Sequence, residues 1–374
     1  MEGKKLTYIT TSNLYWDRFE LSTLKEMLFT KSEIEKCTAR KGDLLVCEGG
    51  DIGRAAIWQY DYDIRIQNHI HRLRGLGEVN HRLFLFWFMY LKTMGLIGGK
   101  GIGLMGLSSR ELDKLEIPIP PLREQDSIVR KIDNLFVAIQ KLDEDCSLLM
   151  TNIEQSKSKV LDLAIHGKLA PQDPSDEPAS QFLRRINPHF VPSDNLHYEG
   201  ELPKGWCFST IGDLFQHNTG KALNGRDQAG EDLRYITTSN LYWDRFDLSE
   251  IRTMPFTDAE KEKCRATKGD LLVCEGGDIG RAAIWSYDFD VMVQNHIHRL
   301  RPRANISVRF FYYIFLLYKQ KGLIGGKGIA IQGLSSRDLD KMIVPVPPVT
   351  EQHRIVTVIE NLFAQMDALA SNLL

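Results

Sequence analysis

No apolar run in this sequence comes near the roughly 20 residues that a bilayer-spanning helix requires; the longest, such as Leu83–Leu91, reach about half of it. No apolar stretch of signal-peptide type follows Met1-Glu2-Gly3-Lys4-Lys5, so secretion is not expected. Cysteine is scarce, six in 374 residues with no CxxC pair, which excludes a disulfide framework and makes a reducing cytoplasm the expected compartment. An excess of either charge is missing too. With 47 basic against 49 acidic side chains and a net charge of −2, the chain is no uniformly basic nucleic-acid binder, although a local basic face remains open. A composition 43% hydrophobic and 26% charged excludes collagen-like, low-complexity and disordered chains, and the length suits two domains with separate cores.

What is present, above all, is a repeat. Tyr8–Phe19 recurs letter for letter as Tyr235–Phe246, an offset of 227 residues, and the match continues without a gap to the C-terminus. Roughly three-quarters of positions agree up to Arg74 and Arg301, far beyond chance, and the period is much too long for a solenoid. This is a duplicated domain. Two copies imply two equivalent sites related by an approximate twofold axis. The duplication is uneven: the second copy carries a stretch from Leu202 to Leu233 without counterpart in the first, and the first continues from Leu148 to about Tyr198, where the second stops. The first domain therefore reads as truncated by about thirty residues relative to its twin, and as a candidate for completion by another chain.

Each copy has one internal order. Gly42-Asp43-Leu44-Leu45-Val46-Cys47 reads as a turn into a buried strand, Arg54–Trp58 follows, and His69–Arg74 alternates as a strand does. Arg82–Lys92 reads as a buried helix. A glycine-rich stretch, Gly95–Gly106, precedes a short helix capped by Ser108 or Ser109, with Glu111 in its first turn. Pro118, Pro120 and Pro121 close the domain. The period then becomes 3.5, with Ile128, Ile132, Leu135, Ile139, Leu142, Cys146, Leu149, Ile153, Ser156, Val160 and Leu163 forming an a/d seam over about five heptads, interrupted by Ser156 and softened by Cys146. Ile355, Ile359, Leu362, Met366, Leu369 and Leu373 start the same seam in the second copy. Two such helices are expected to pair as an antiparallel coiled coil, and Pro171–Pro203, rich in Pro, Asp, Ser and Asn, is expected to be a linker. The fold class expected is α+β: two globular α/β recognition domains joined by two long helices. The boundaries fall at 1–117 for the first domain, 118–168 for the central helix, 169–201 for the linker, 202–344 for the second domain and 345–374 for the last helix.

Catalytic look-alikes fail. Gly101–Gly106 matches GxGxxG, but the second copy has Ala330 in place of the middle glycine and no strand precedes either. Asn187-Pro188-His189-Phe190 lacks the second proline of the Asn-Pro-Pro-Tyr/Phe loop of amino-methyltransferases and is not duplicated. His69 with His71, and His296 with His298, lack a third metal ligand nearby in sequence; Cys47 and Cys274 read as small core residues. Glu48 and Asp51 have no nucleophile or oriented base beside them, and no Walker A, GxSxG or HExxH sequence occurs. The chain reads as non-catalytic, with no metal site and no cofactor of its own.

What remains are loops dense in amides, hydroxyls, aromatic planes and cations. Arginine pairs with guanine edges, Asn and Gln with adenine edges, and hydroxyls and lysines hold phosphates. The candidate DNA-binding residues are Ser12, Asn13, Tyr15, Arg18, Arg54, Gln67, Asn68 and Lys100, with Ser239, Asn240, Tyr242, Arg245, Arg281, Gln294, Asn295 and Lys327 in the second copy. Trp16 and Trp58 read equally well as core anchors. The candidate spacer contacts are Leu135, Ile139, Leu142, Leu149 and Ile153 on one helix, and Ile355, Ile359, Leu362 and Met366 on the other.

This arrangement resembles the specificity subunit of Type I restriction–modification systems. The resemblance rests on Pro118-Ile119-Pro120-Pro121-Leu122-Arg123-Glu124-Gln125 and its repeat Pro345-Val346-Pro347-Pro348-Val349-Thr350-Glu351-Gln352. Leu161–Leu169, Leu202–Trp206 and Lys41–Leu45 are equally typical. The resemblance implies two target recognition domains, each reading half of a bipartite double-stranded DNA site, held apart by the helical pair as a ruler. It also implies two methyltransferase subunits that bind S-adenosylmethionine, restriction subunits that use ATP and magnesium, a role in defence against phage, and no membrane. A second copy of the chain could supply a missing reader. The departure from the family is the first domain, which lacks the counterpart of Leu202–Asp232. A stand-alone, two-headed DNA-binding regulator is the alternative, and an independent nuclease or methyltransferase a weaker one.

Overall fold

Leu44–Cys47 is apolar at every position, and such a run is stable only as a strand covered on both faces. In the computed structural model, which describes residues 3–97, 107–194, 201–222, 229–324 and 334–373, it is the buried central strand of a three-stranded sheet. The chain forms two compact units, Met1–Glu144 and Asp145–Leu374.

The first unit runs β1 (Lys4–Ile9), β2 (Leu14–Tyr15), β3 (Arg18–Phe19), β4 (Lys25–Phe29), α1 (Lys31–Cys37), β5 (Thr38–Ala39), β6 (Leu44–Cys47), β7 (Ala55–Ile57), β8 (Ile64–Ile66), β9 (Ile70–Leu73), α2 (His81–Thr93), α3 (Ser109–Leu112) and α4 (Leu122–Ile165), the last ending in the second unit. One sheet has the order β4-β1-β8-β5, another β7-β6-β9, and β2 and β3 make a hairpin. Trp58 is fully buried, packs edge-on against Phe19 at 5.0 Å, and donates its indole N–H to the Tyr62 carbonyl (2.7 Å). Helix α2 turns Leu85, Phe88 and Leu91, three residues apart, onto Val46 and Ala55. Ser108 caps α3 with Glu111 closing the capping box, as its sequence predicts.

The second unit repeats this order after an added lead: α5 (Ala179–Ile186), β10 (Cys207–Thr210), α6 (Ile211–Leu214) and β11 (Phe215–Thr219). The repeat proper is β12 (Glu231–Ile236), β13 (Leu241–Tyr242), β14 (Arg245–Phe246), β15 (Arg252–Phe256), α7 (Asp258–Cys264), β16 (Arg265–Ala266), β17 (Leu271–Cys274), β18 (Ala282–Ile284), β19 (Val291–Val293), β20 (Ile297–Pro302), α8 (Val308–Gln320), α9 (Ser336–Asp340), β21 (Ile343–Val346) and α10 (Val349–Ser371). Its sheets are β15-β12-β19-β16 and β11-β20-β17-β18, with β10 paired to β21.

The Pro-Pro-x-x-Glu-Gln junction has a local reason. Gln125 is 2% exposed; its carbonyl accepts the Asn80 N–H (2.9 Å) and its amide donates to the Pro120 carbonyl (2.8 Å), fastening the start of α4 to the start of α2. Gln352 repeats this with Ser307 (2.9 Å) and Pro347 (3.0 Å). The prolines end the preceding segment, and the glutamine fixes the direction in which the helix leaves.

Two expectations need correction. The stretch from residue 171 to 203 is not linker throughout: α5 buries Ala179, Phe182 and Leu183 in the second unit's core, with Phe190 beside them. This helix is short, and its apolar positions are hidden among prolines and acids. The heptad seam is buried only in part. Ile153 and Val160 are buried and Ile355 and Ile359 fully so, with Leu362 and Met366 packed against the same core, whereas Leu135, Ile139, Leu142 and Leu149 are exposed. α10 has 23 residues and spans about 35 Å, and α4 has 44 and spans about 66 Å at 1.5 Å per residue. Lys157 on α4 meets Asp367 (2.6 Å) and the Phe363 ring on α10, within the second unit.

Candidate nucleic-acid interface

Strands β1 and β8 are parallel neighbours, with Ile9 opposite Ile66, so the chain leaves both at the same edge. The loop after β1 carries Ser12 and the loop after β8 carries Gln67 and Asn68, side by side, with the Gln67 N–H donating to the Ile9 carbonyl (3.1 Å). A third loop, residues 48–54, joins them: the Glu48 N–H donates to the His69 carbonyl (2.9 Å), and the Arg54 guanidinium donates to the Thr11 carbonyl (2.7 Å). Gly53 adopts φ +81° and lies against Ile97, where a Cβ would fall 2.3 Å from the Ile97 side chain; only glycine allows this close approach. Three loops distant in sequence thus form one surface.

Residues within it divide by what already holds them. Asn13, expected to read bases, is buried and spent. Its carbonyl accepts the Thr10 N–H (2.9 Å) and hydroxyl (2.8 Å), and its amide donates to the Glu20 carbonyl (3.1 Å) and the Thr23 hydroxyl (3.2 Å). Asn240 does the same with Thr237, Asp247 and Glu250. Both tie the loop together, and the expected base contacts are corrected on that ground. Arg54 and Arg281 are likewise committed, to Thr11 and Thr238 carbonyls and to Asp51 and Asp278. Arg18 is different. It is exposed, lies 4.7 Å over the Tyr15 ring, and has no ion pair among the described residues. Arg54 approaches the same ring at 5.2 Å, so two guanidiniums lie close to one tyrosine. Arg245, Tyr242 and Arg281 reproduce the set at 4.4 and 5.4 Å. Ser12, Ser239 and Asn68 are exposed, and Gln67, Gln294 and Asn295 half-buried. Lys100 and Lys327, and both glycine-rich motifs at 101–106 and 328–333, lie outside the described residues.

The tip of the β2–β3 hairpin is anchored from behind. Asp17 sits at φ +53°, and its carboxylate accepts from Arg82 of α2 (2.9 Å). Arg82 also reaches Asp133 of α4 (2.6 Å). In the second unit Arg309 of α8 joins Asp244, at φ +57°, to Glu360 of α10. Burial works against the charge of both arginines, but their carboxylate partners more than offset it and hold the guanidiniums above their ordinary range. Sequence reasoning missed this clamp, although each arginine stands 65 residues from its aspartate in both copies.

No cluster of His, Cys, Asp and Glu suited to a metal occurs among the described residues. His71 bonds the Leu107 carbonyl, while His298 bonds both the Leu334 carbonyl (2.7 Å) and His217 (2.9 Å), which in turn meets Asp340 (2.8 Å). Burial pushes the Cys47 and Cys274 thiols up, as suits core residues.

Two similar loop surfaces on an α+β frame with long helices are the features to be placed, and comparison places the chain among DNA-recognition proteins. The family model described as Type I restriction modification DNA specificity domain matches residues 2–144 and 203–373, and the chain belongs to that family. Such specificity subunits are non-catalytic, the catalytic activities lying with partner subunits, and the stand-alone regulator is set aside. The specificity subunit of the Type I restriction enzyme EcoBI of Escherichia coli is 29% identical over 338 residues, 87% of this chain and 68% of its own length. That of EcoAI, also from Escherichia coli, is 22% identical over 310 residues, 66% of this chain and 53% of its own length. The crystal structure of the HsdS subunit from Thermoanaerobacter tengcongensis shares the fold, with a TM-score of 0.63 at 18% identity over 98% of this chain and 85% of that one. A structure concerned with assembly and conformational transition of the Type I system gives 0.64 at 18% identity, covering 100% and 87%. Among the described residues no helix is long and apolar enough to cross a membrane.

Proposed function

We propose that the chain reads two equal half-sites in double-stranded DNA, on opposite strands around an unread spacer, as an interrupted palindrome. One observation carries this reading: the loop after the first strand is built alike in the two units, with a buried asparagine bonded to the threonine three residues before it and two arginine guanidiniums close to one tyrosine ring. The second loops differ, since the Asn295 N–H donates to the Lys221 carbonyl (3.0 Å) whereas Asn68 is exposed. Equal readers select equal sequences, as the two halves of a symmetric repressor do. The direct readers are Arg18 and Arg245, with Ser12, Gln67, Asn68 and their counterparts Ser239, Gln294 and Asn295; Lys100 and Lys327 hold phosphates. The helices α4 and α10 act as the spacer, and two methyltransferase subunits carrying S-adenosylmethionine dock on the chain. Restriction subunits that use ATP and magnesium join them in the cytoplasm.

The differing segments Thr23–Arg40 and Glu250–Thr267 include β4 with α1 and β15 with α7, and their first residues meet the reading loops: the Asn13 amide donates to the Thr23 hydroxyl (3.2 Å) and the Asn240 amide to the Glu250 carbonyl (3.1 Å). Genome-wide mapping of adenine methylation with and without this chain tests the proposal. The expected result is a chain-dependent interrupted palindrome modified once on each strand. An asymmetric bipartite motif refutes equal readers, and a direct repeat refutes the opposed arrangement.

A further inference from the structure

The reading loops carry acidic residues as well as basic ones, and the acids differ in what neutralises them. In the first unit, residues 10–20, 48–54 and 67–69 include Asp17, Glu20, Glu48 and Asp51. Asp17 is held by Arg82 (2.9 Å), and Asp51 by Lys92 (2.9 Å) and Arg54 (3.5 Å). Glu20 turns back on its own loop and accepts from the N–H and hydroxyl of Ser22 (3.0 and 2.6 Å). Glu48 is the exception. Its one charged neighbour among the described residues is the His69 imidazole, whose Nδ1 lies 3.8 Å from the carboxylate, beyond hydrogen-bond reach. The second unit repeats the division: Asp244 is held by Arg309 (2.6 Å), Asp278 by Lys319 (2.8 Å) and Asp247 by Ser249 (3.0 and 2.6 Å). Glu275 has only His296, again at 3.8 Å.

Both glutamates stand on a rigid base. Glu48 directly follows Cys47, the last residue of the fully buried strand β6, and Cys47 lies opposite Ile70 of β9. The Glu48 N–H donates to the His69 carbonyl (2.9 Å), which carries that pairing one step past the strand ends. Glu275 and His296 do the same (2.9 Å) beyond Cys274 of β17 and Ile297 of β20. The sheet therefore fixes the backbone while 30% of the Glu48 side chain and 32% of the Glu275 side chain stay open to a ligand.

A carboxylate without a fixed counter-charge repels phosphates, so on a surface that meets DNA it needs a base edge as its partner. An ionised carboxylate only accepts hydrogen bonds, and the partner must therefore be an amino group. In the major groove cytosine shows its N4 amino group with no acceptor beside it. Adenine sets the acceptor N7 next to its N6 amino group, and guanine and thymine offer acceptors alone. We propose that Glu48 and Glu275 are specificity-determining residues, each selecting a cytosine, and hence a C·G pair, in the half-site that its unit reads. The inference rests on the reading above, in which these loops face the bases, and adds to it the identity of one base pair in each half.

The test compares the methylation motif written by the complete complex when it carries the unaltered chain, Glu48→Gln, Glu275→Gln or Glu48→Ala, with duplex competition to measure each preference. The unaltered chain should give a cytosine at the equivalent place in both half-sites. Glutamine keeps the shape of glutamate but offers a donor and an acceptor, the pair that matches adenine. Glu48→Gln should therefore change one half-site at that position alone, moving its preference from cytosine toward adenine by about tenfold, and Glu275→Gln should change the other half. Glu48→Ala should remove the preference there and keep the remaining bases. Half-sites made of A·T pairs alone overturn the inference and leave the reading intact. A motif unchanged by Glu48→Gln but altered by Arg18→Ala does the same. Methylation lowered equally at every site by both Glu48 variants, with the motif unchanged, also overturns it, because the glutamate then builds the loop or meets a protein subunit. Absence of any chain-dependent motif overturns the reading and the inference together.

Discussion

Replacing Asn13 by alanine separates a residue that reads DNA from one that builds the reader. The side chain is 2% exposed and makes four hydrogen bonds. Alanine strands at least the Thr10 N–H and the Glu20 carbonyl, neither of which gains another partner. A buried polar group left unsatisfied costs about 1–3 kcal/mol, so the variant should lose about 2–5 kcal/mol. That loss is a sizeable part of a typical domain's stability of about 5–15 kcal/mol. Urea unfolding of the full chain should show an early transition for the first unit, and amide exchange should accelerate across residues 10–23 before it does elsewhere. Asn240→Ala should shift the burden to residues 237–250. The reasoning fails if Asn13→Ala leaves unfolding and exchange unchanged while abolishing base discrimination, since the asparagine would then face the DNA.

Arg18→Ala and Arg245→Ala should each cost about 1–3 kcal/mol of discrimination at one half-site with little effect on folding, measured by competition between duplexes altered in one half; a uniform loss across all sequences would make them phosphate contacts. Leu142→Asp should change unfolding by no more than about 0.5 kcal/mol, because Leu142 is 62% exposed, whereas Ile153→Asp, at a position 5% exposed, should cost several. A larger loss at Leu142 than at Ile153 would contradict the burial. Burial lowers the His298 pKa from 6.5 to about 4, so the neutral ring's contribution is fully present above about pH 6.5 and is lost as the pH falls toward 4. The loss amounts to about 3 kcal/mol for a group 0% exposed. His298→Asn should flatten the pH dependence of urea unfolding over that window, and an unchanged slope would refute it.

Much of the architecture was legible because the duplication supplied its own alignment and the period changed at Pro118–Pro121. The run Leu44–Cys47, helix α2, the Ser108 cap and the long helix lie where their patterns place them. The site was less legible, for a physical reason. Composition marks Asn13 and Arg54 as donors suited to bases, yet a polar group can spend its hydrogen bonds inward, and only tertiary contacts reveal which way it does so. The Asp17–Arg82 and Asp244–Arg309 pairs span 65 residues and carry no local signal. The seam misled for a related reason: a periodic stripe reports what a helix could bury, not what it does bury, and Leu135, Ile139, Leu142 and Leu149 are exposed. In α5, Ala179, Phe182 and Leu183 were hidden in a segment whose composition reads as linker.

The arginine that fastens each hairpin to its helix has a mechanical consequence. Arg82 bonds at once to Asp17 of the hairpin and Asp133 of α4, so on the proposed reading, in which Arg18 meets a base and α4 sets the spacing, the clamp couples the two. An error in the rod is passed on to the fingertip instead of being absorbed on the way. A specificity subunit built so should be as intolerant of one base pair added between its half-sites as of a wrong base within them. Cutting the clamp with Arg82→Ala should loosen the demand on distance before it loosens the demand on sequence.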